Sequence, residues 1–297
     1  LEHTGAKLLA SIDAGYPALL RESPDPPAVL YVLGEAGTLC EPQIAMVGSR
    51  NPTSGGRDTA HRFARWFAQA GLCVTSGLAL GIDTCCHEGA LAAGGPTVAV
   101  LGCGLDTVYP PQNLSLARRI AAHGAVISEF PPGTPPIAAH FPQRNRIIAG
   151  LAAGTVVVEA ASASGSLITA RLAGTAGREV FALPGSIHNP LARGCHELIR
   201  QGAKLVERPE DVLCELKIPL SAQLLAAPAT PRPDGSPLDK EYKILLDALA
   251  FEPASVDTLI ERTGLNSESI TSMLLILELD GHVAPYPGGR YSRMAGQ

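Results

Sequence analysis

The segment HFPQRNRIIAGL, residues 140–151, concentrates an aromatic ring, two guanidinium groups and an amide directly ahead of a helical apolar pattern. Phe141 supplies a ring on which a base can stack, and Arg144 and Arg146 carry groups that hold backbone phosphates. Asn145 lies between the two arginines. In a chain with only 17% charged and 4% aromatic residues, this concentration predicts a binding edge.

The local helix geometry refines this prediction. Pro142 fits the first helical position, where its missing N–H costs nothing, so the residues after it are expected to offer free backbone donors. Arg144 and Arg146 are two positions apart and lie on different faces of the helix. One of them can therefore be structural and pair with Glu129 or Glu159.

Two further segments place small and polar residues after an apolar run. Gly48, Ser49 and Arg50 follow the first such run, where backbone N–H groups and a guanidinium group can meet an anion. Ser164 and Ser166 lie in a second turn of this kind, ahead of another helical pattern. Ordinary capping of the helix by serine is the alternative interpretation of the second turn.

Other kinds of chemistry lack their motifs. No Walker A pattern is present, and VLGCGLDT has Thr107 where the third glycine of GxGxxG belongs. There is no GxSxG elbow, no HExxH and no cysteine-histidine ligand spacing. We therefore expect no catalytic residue, no metal and no cofactor.

Short apolar runs alternate with helical patterns between residues 43 and 216. The runs are QIAMVGS, LCVTSG, TVAVLG, AVISEF, TVVVEA, EVFALPG and AKLV. Most lack in/out alternation, which is typical of a parallel sheet covered by helices on both faces. The sequence predicts a doubly wound α/β domain whose ligand site lies at the carboxyl edge of its strands.

The remaining chain divides by composition. Residues 1–42 are a lead-in segment expected to pack on the core, and residues 217–237 are proline-rich and indicate a linker. Residues 238–297 contain three short helical patterns and a turn-prone tail, the outline of a winged helix. One helical face is predicted there at Ile270, Met273, Leu274 and Leu277.

Composition limits the location and the partners. The net charge is -5, so any polyanion site must be local. No apolar run is long enough to span a membrane, and the start lacks a leader pattern, which favours a cytoplasmic protein without membrane contact. The seven cysteines form no CxxC pair and are expected to be buried and reduced.

These segments together resemble the DprA/Smf family, the DNA-processing proteins of natural transformation. The collinear motifs are YPALL, VGSR, SGLALGID, VLGCGLDTVYP, SEFPPG, FPQRNRIIAGL, VVVEAASASGSLITA, FALPGS and GCHELIRQGAKL. The resemblance implies an extended Rossmann-like core with a small C-terminal winged-helix domain. It also implies a cytoplasmic, competence-related protein that binds single-stranded DNA and loads the RecA recombinase onto it.

The same resemblance assigns roles to residues. The family's GSR and FPxRNR motifs, which bind the strand, correspond to Gly48, Ser49, Arg50, Phe141, Arg144, Asn145 and Arg146. The family forms homodimers through the segment seen here as GCHELIRQGAKL, so His196, Ile199 and Leu205 are the expected contacts. Packing of this helix on its own sheet is the alternative.

The predicted winged helix departs from a DNA-binding composition. Residues 238–297 carry five basic and nine acidic side chains, a net charge of -4. Residues 265–283, which should include the recognition helix, contain no Lys or Arg. A helix in a major groove normally brings cations, so we expect this domain to contact protein and not duplex DNA.

Two other functions compete with strand binding. Related Rossmann-like phosphoribohydrolases cleave nucleoside monophosphates with an arginine and a glutamate near a PGGxGT loop, and Glu159 with the serine-rich turn could imitate part of that site. This sequence lacks the PGGxGT loop. A protein-interaction scaffold, whose glycines serve only as turns, is the third interpretation.

Overall fold

The computed structural model describes residues 5–216, 240–249 and 253–294. The predicted linker, residues 217–237, lies outside the described residues. The fold class is confirmed: a mostly parallel α/β sheet with helices on both faces is followed by a winged-helix unit.

All seven predicted strands form in a sheet that has nine strands among the described residues. The strands are β1 (Lys7–Ala10), β2 (Val29–Gly34), β3 (Gln43–Val47), β4 (Cys73–Ser76), β5 (Thr97–Val100), β6 (Ala125–Ser128), β7 (Gly154–Val157), β8 (Glu179–Ala182) and β9 (Lys204–Leu205). Their order is β1-β2-β6-β5-β4-β3-β7-β8-β9. Strands β3 to β9 are parallel.

The lead-in segment contributes to the sheet itself. Strands β1 and β2 pair antiparallel, and β2 pairs antiparallel with β6. The sheet therefore begins before the predicted boundary at residue 43. Tyr16, between the two strands, is buried and its hydroxyl donates to the Pro27 carbonyl at 2.7 Å, which fixes the connection.

Helices cover both faces of the sheet. They are α1 (Ala18–Arg21), α2 (Ser54–Gln69), α3 (Ile82–Ala92), α4 (Leu114–His123), α5 (His140–Leu151), α6 (Ser166–Thr175), α7 (Arg193–Arg200) and α8 (Pro209–Leu216). One core cluster joins the sheet to α5, α6 and α7, and a second joins it to α2, α3 and α8. The cysteine prediction holds for five of the seven, whereas Cys40 and Cys214 are exposed; all are free thiols.

The chain reverses its winding at β3. Strands β4, β5 and β6 extend to one side of β3, and β7, β8 and β9 extend to the other. A crevice opens at such a switch point, outside the carboxyl ends of the strands, because the connections leave in opposite directions. The Gly48–Arg50 turn follows β3, and the serine-rich turn follows β7.

The C-terminal unit has the predicted winged-helix elements. Helices α9 (Lys240–Leu249), α10 (Val256–Thr263) and α11 (Ser267–Leu279) accompany strands β10 (Ala254–Ser255), β11 (Val283–Tyr286) and β12 (Arg290–Arg293) in the order β10-β12-β11. The predicted face of α11 is confirmed, because Ile270, Met273, Leu274 and Leu277 are all buried. The same helix exposes Leu275, Ile276 and Leu279.

None of the helices described is both long and apolar enough to cross a membrane.

Candidate nucleic-acid interface

The turn after β3 is built by close backbone approach. The Ile82 N–H donates to the Ser49 carbonyl at 3.1 Å, which ties the turn to the start of α3. A Cβ at Gly48 would lie 2.7 Å from the Ile82 side chain, so only glycine fits there. The Asn51 N–H donates to the Ser49 side-chain oxygen at 3.1 Å, and Arg50 remains exposed.

A second glycine lets the neighbouring loop meet this turn. Gly81 has a φ of 86°, and a Cβ there would lie 2.4 Å from the Ser49 carbonyl oxygen. Both the left-handed backbone and the contact require glycine. The loop after β4 therefore supports the backbone that carries Arg50.

Helix α5 begins at His140, two residues before the predicted start. The His140 N–H donates to the Ile137 carbonyl at 3.0 Å, which starts the helix in the preceding turn. Pro142 is therefore the third helical residue, still within the first turn, where an N–H has no helical partner. Phe141 lies inside the helix and is partly buried.

Arg144 is fixed inside the protein. Only 4% of it is exposed, and its Nη1 donates to the Gly77 carbonyl at 2.7 Å and to the Val100 carbonyl. Burial lowers the pKa of Arg144 to about 10, against the opposing attraction of Asp83, so the guanidinium keeps its charge at neutral pH. Arg144 thus joins the carboxyl ends of β4 and β5 and brings positive charge to the cavity floor.

Asp83 shares this charged centre. Its carboxylate accepts hydrogen bonds from the Gly77 N–H at 3.1 Å and the Ala79 N–H at 3.2 Å. Burial raises the pKa of Asp83, while Arg144 and these amides lower it. The sequence interpretation missed this residue, although an acidic side chain at the carboxyl edge of a strand, in SGLALGID, was the available signal.

Arg146 faces away from the other candidate residues. It forms ion pairs with Glu129 at 2.5 Å and with Asp25 at 2.9 Å, and only 16% of its side chain is exposed. Arg146 therefore does not lie with the other predicted strand-binding residues in this structure, since two positions on a helix place Arg144 and Arg146 on different sides. The sequence suggested that one of the two arginines pairs internally with Glu129 or Glu159. Arg146 forms such a pair with Glu129.

The serine-rich turn packs against α5. Ser164 and Ser166 share a hydrogen bond between their hydroxyl oxygens at 2.7 Å, and the Ser166 N–H contacts the Ser164 hydroxyl at 3.3 Å. Ser164 therefore satisfies one free N–H group at the start of α6, whereas the N-cap residue itself is Gly165 and has no side-chain cap. The Asn145 side-chain N–H donates to the Gly165 carbonyl at 3.5 Å, so it links α5 to the start of α6.

These elements enclose a cavity of about 750 Å³ at the switch point. Eight of the nine predicted strand-binding residues line it, and Arg146 does not. The eight are Gly48, Ser49, Arg50, Phe141, Arg144, Asn145, Ser164 and Ser166. The cavity also includes Tyr109, which the sequence interpretation missed; its only signal was an aromatic residue in the loop after a buried strand.

The cavity is suited to an anion that carries a flat apolar group. Arg50 and Arg144 are the cations among the described residues that line it, and Asp83 is the carboxylate. The Arg50 guanidinium carbon lies 6.0 Å from the centre of the Phe141 ring, a cation-π distance. Within the described ranges, no group of three or more His, Cys, Asp or Glu side chains could hold a metal ion.

The predicted dimer residues lie at the far end of the sheet. His196 Nε2 is 3.0 Å from the Gly185 carbonyl oxygen, and Ile199 is partly buried against the first core cluster. Leu205, on the edge strand β9, is 49% exposed. Leu205 is therefore the most accessible of the three, whereas Ile199 serves the core of its own chain.

Comparison with known families gives two matches. Residues 7–217 match the family DNA recombination-mediator protein A, and residues 227–289 match the family DprA winged helix domain. The chain is 43% identical to Protein Smf of Escherichia coli K12 over 97% of this chain and 78% of that protein. It is 46% identical to DNA processing protein DprA of Streptococcus pneumoniae R6 over 69% of this chain and 73% of that protein.

Solved structures show the same similarity. DNA processing protein A from Streptococcus pneumoniae superposes with a TM-score of 0.69 at 44% identity, over 72% of this chain and 76% of that chain. DNA processing protein A from Helicobacter pylori, whose structure is described as giving insight into its single-stranded DNA binding mode, has a TM-score of 0.65 at 30% identity. That similarity covers 72% of this chain and 97% of that chain.

Proposed function

Because this chain belongs to the DNA recombination-mediator protein A family, the DprA/Smf proteins, we propose that it binds single-stranded DNA in the switch-point cavity. We further propose that it loads the RecA recombinase onto that strand during natural transformation, in the cytoplasm. The family consists of DNA-processing recombination mediators that bind DNA and are not enzymes. The observation that supports the proposal is one cavity that unites the Gly48–Arg50 turn with the start of α5.

Arg50 has the leading role in this proposal. It is the exposed cation at the cavity, whereas Arg144 is buried and its Nη1 donates to two backbone carbonyls. Arg144 positions the loops after β4 and β5 and adds positive charge to the lining of the cavity. Arg146 fixes α5 through Glu129 and Asp25 and does not contact the strand in this proposal.

The expected affinity is strongly salt-dependent. The core outside residues 238–297 has 18 basic and 19 acidic side chains, so attraction must come from the cavity and not from the overall field. Each phosphate contact contributes roughly 0.7 to the slope of log affinity against log salt on single strands.

Fluorescence anisotropy with labelled oligothymidine and with a blunt duplex of equal length tests strand binding. We expect binding to the single strand, which Arg50→Ala weakens while reducing the salt slope by about 0.7. Arg118→Ala, an exposed arginine on α4 that does not line the cavity, is the matched control and should change neither quantity. An affinity unchanged by Arg50→Ala would contradict the assignment of the cavity.

RecA loading needs its own measurement. RecA filament formation on oligothymidine is followed with and without this protein, and with the Arg50→Ala variant. We expect the wild-type protein to accelerate filament formation and the variant to lose this effect, because loading requires the bound strand. Equal filament formation with and without the protein would limit the function to strand binding.

We also propose a homodimer through α7 and β9. Leu205 is the exposed apolar side chain on edge strand β9, and His196 lies on the preceding helix α7. Leu205→Lys should therefore shift sedimentation from dimer to monomer while leaving the core folded. A wild-type protein that sediments as a monomer at all concentrations would contradict the dimer.

For the C-terminal unit, the proposal is a protein contact. Helix α11 has no Lys or Arg and exposes Leu275, Ile276 and Leu279, which suits an apolar partner surface and not a phosphate backbone. The duplex arm of the anisotropy experiment tests this point. Duplex binding that weakens with Leu275→Glu, while binding to oligothymidine is retained, would contradict it.

A further inference from the structure

Tyr109 occupies an exposed position at the cavity. It lies in the loop between β5 and α4, it is 44% exposed, and it lines the cavity. Its ring centre lies 5.5 Å from that of Phe141, with the two planes at 43°. The two rings therefore touch each other and form one aromatic surface.

The Phe141 ring is already surrounded. A Cβ at Gly102 would lie 3.0 Å from the Phe141 ring, so the loop after β5 passes directly against it. Tyr109 packs against the same ring, and the Arg50 guanidinium carbon lies 6.0 Å from the ring centre. Phe141 is partly buried as a result, and Tyr109 is the ring with the more accessible face.

A base does not fit between the two rings. Carbon atoms in contact are about 3.5 to 4.0 Å apart, so a flat base between two parallel rings needs ring centres about 7 Å apart. The observed 5.5 Å and 43° are too close and too tilted for that arrangement. A base must stack on an outer face, and Tyr109 is the more exposed of the two rings.

The loop that carries Tyr109 is tied down on several sides. The Asn113 side-chain N–H donates to the Leu78 carbonyl at 2.8 Å, and its backbone N–H donates to the Pro110 carbonyl at 3.0 Å. Asp106 accepts a hydrogen bond from the Gly133 N–H at 2.8 Å, which joins this loop to the one before α5. The loop that carries the ring is therefore held in place before a ligand binds, and little backbone ordering entropy remains to oppose binding.

We infer that Tyr109 is the principal base-stacking residue of the cavity, with Phe141 as the support that holds both Tyr109 and Arg50. This inference rests on the proposed function and specifies how the strand is bound. The ligand group is an unpaired nucleobase of the bound strand. The identity of the base matters little for stacking, because every base has a π face. The bases of a duplex are covered by their neighbours and do not offer this face.

The test compares oligothymidine with an abasic strand of equal length, which keeps the sugars and phosphates and lacks the bases. Tyr109→Ala should weaken binding to oligothymidine about 5- to 150-fold, the range for the loss of one stacked base, and should leave binding to the abasic strand unchanged. Tyr109→Phe keeps the π face and should bind like wild type. Arg50→Ala should weaken binding to both strands.

Two further variants separate stacking from support and from general surface effects. Phe141→Leu should weaken binding to oligothymidine in the wild-type background. In the Tyr109→Ala background it should act only through Arg50 and therefore weaken binding to both strands by the same factor. Leu114→Ala is the matched control, since Leu114 is 42% exposed and does not line the cavity. It should bind both strands like wild type.

Three results would overturn the inference. The first is that Tyr109→Ala weakens binding to both strands equally or to neither. The second is that Tyr109→Phe binds oligothymidine as weakly as Tyr109→Ala does. The third is that Phe141→Leu removes the whole difference in affinity between oligothymidine and the abasic strand, although Tyr109→Ala leaves that difference in place. Each of these results is compatible with the proposal that the cavity binds single-stranded DNA. A wild-type protein that binds neither strand would instead reject the proposed function, and this inference with it.

Discussion

Protonation of His87 should destabilise the core in acid. His87 is fully buried in α3, and its Nδ1 lies 2.7 Å from the Thr97 hydroxyl oxygen. That hydroxyl donates its proton to the Val74 carbonyl, so it accepts from the Nδ1–H of a neutral imidazole. Nε2 is buried with no hydrogen-bond partner among the described residues. A second proton would therefore place an unpaired charged donor in the core.

The pKa of His87 gives the sign and the size of this loss of stability. Burial and then the nearby Arg144 lower the pKa of His87 from 6.5 to about 3. Between these two values the unfolded chain binds a proton that the folded chain does not, so the free energy of unfolding falls as the pH falls from 6.5 towards 3. Each pH unit in this window costs about 1.4 kcal/mol. At pH 5 the contribution of His87 is therefore a loss of about 2 kcal/mol.

Urea denaturation at pH 7, 6 and 5, followed by the fluorescence of the single Trp66 in α2, measures this effect in the core unit. His87→Asn keeps a donor for the Thr97 hydroxyl and removes the titration. The variant should lose less stability than wild type between pH 7 and 5, by about 2 kcal/mol. Parallel pH profiles for the two proteins would refute the reasoning.

The remaining predictions concern packing and the arginine that faces away from the cavity. Gly48→Ala places a Cβ 2.7 Å from the Ile82 side chain and should reduce both thermal stability and affinity for oligothymidine. Gly89→Ala, where a Cβ would meet a backbone carbonyl oxygen of α2 at 2.3 Å, should cost about 2 kcal/mol in urea denaturation. Its control is Gly174→Ala in α6, where nothing lies within 4 Å and a gain of about 0.5 kcal/mol is expected. Arg146→Ala should cost about 2 kcal/mol of stability, because it leaves Glu129 without its partner. Unlike Arg50→Ala, it should leave the salt slope of strand binding unchanged, and a flattened slope would contradict this.

The sequence predicted the parts of the fold that depend on local pattern. Strands β3 to β7 were recognisable because buried parallel strands are apolar on both faces. The buried face of α11 was recognisable from its helical spacing. The antiparallel strands β1 and β2 were not, because they fall outside the alternation of strands and helices, and their partner β6 lies about ninety residues further along the chain.

The site was predictable as a set of segments but not in its side-chain contacts. Gly48 and Arg50 could be placed because they follow a strand that reaches the carboxyl edge. The roles of Arg144 and Arg146 could not be separated, because the choice depends on Asp25 and on the Gly77 carbonyl, which only the tertiary structure brings near. Tyr109 carried no pattern of its own, since its position depends on how two loops meet.

The residues that line the cavity run from Val47 to Thr169 along the chain and lie in loops and in helices α5 and α6. Its central strand β3 is paired on one side with β4 and on the other with β7, whose residues are separated from it by more than a hundred positions. Such long-range pairing forms late, because the loop between the partners must close first. A chain still emerging from the ribosome therefore lacks the proposed strand-binding site until α6 has been synthesised. Proteolytic fragments that end before α6 should neither hold DNA nor compete with the intact protein for it.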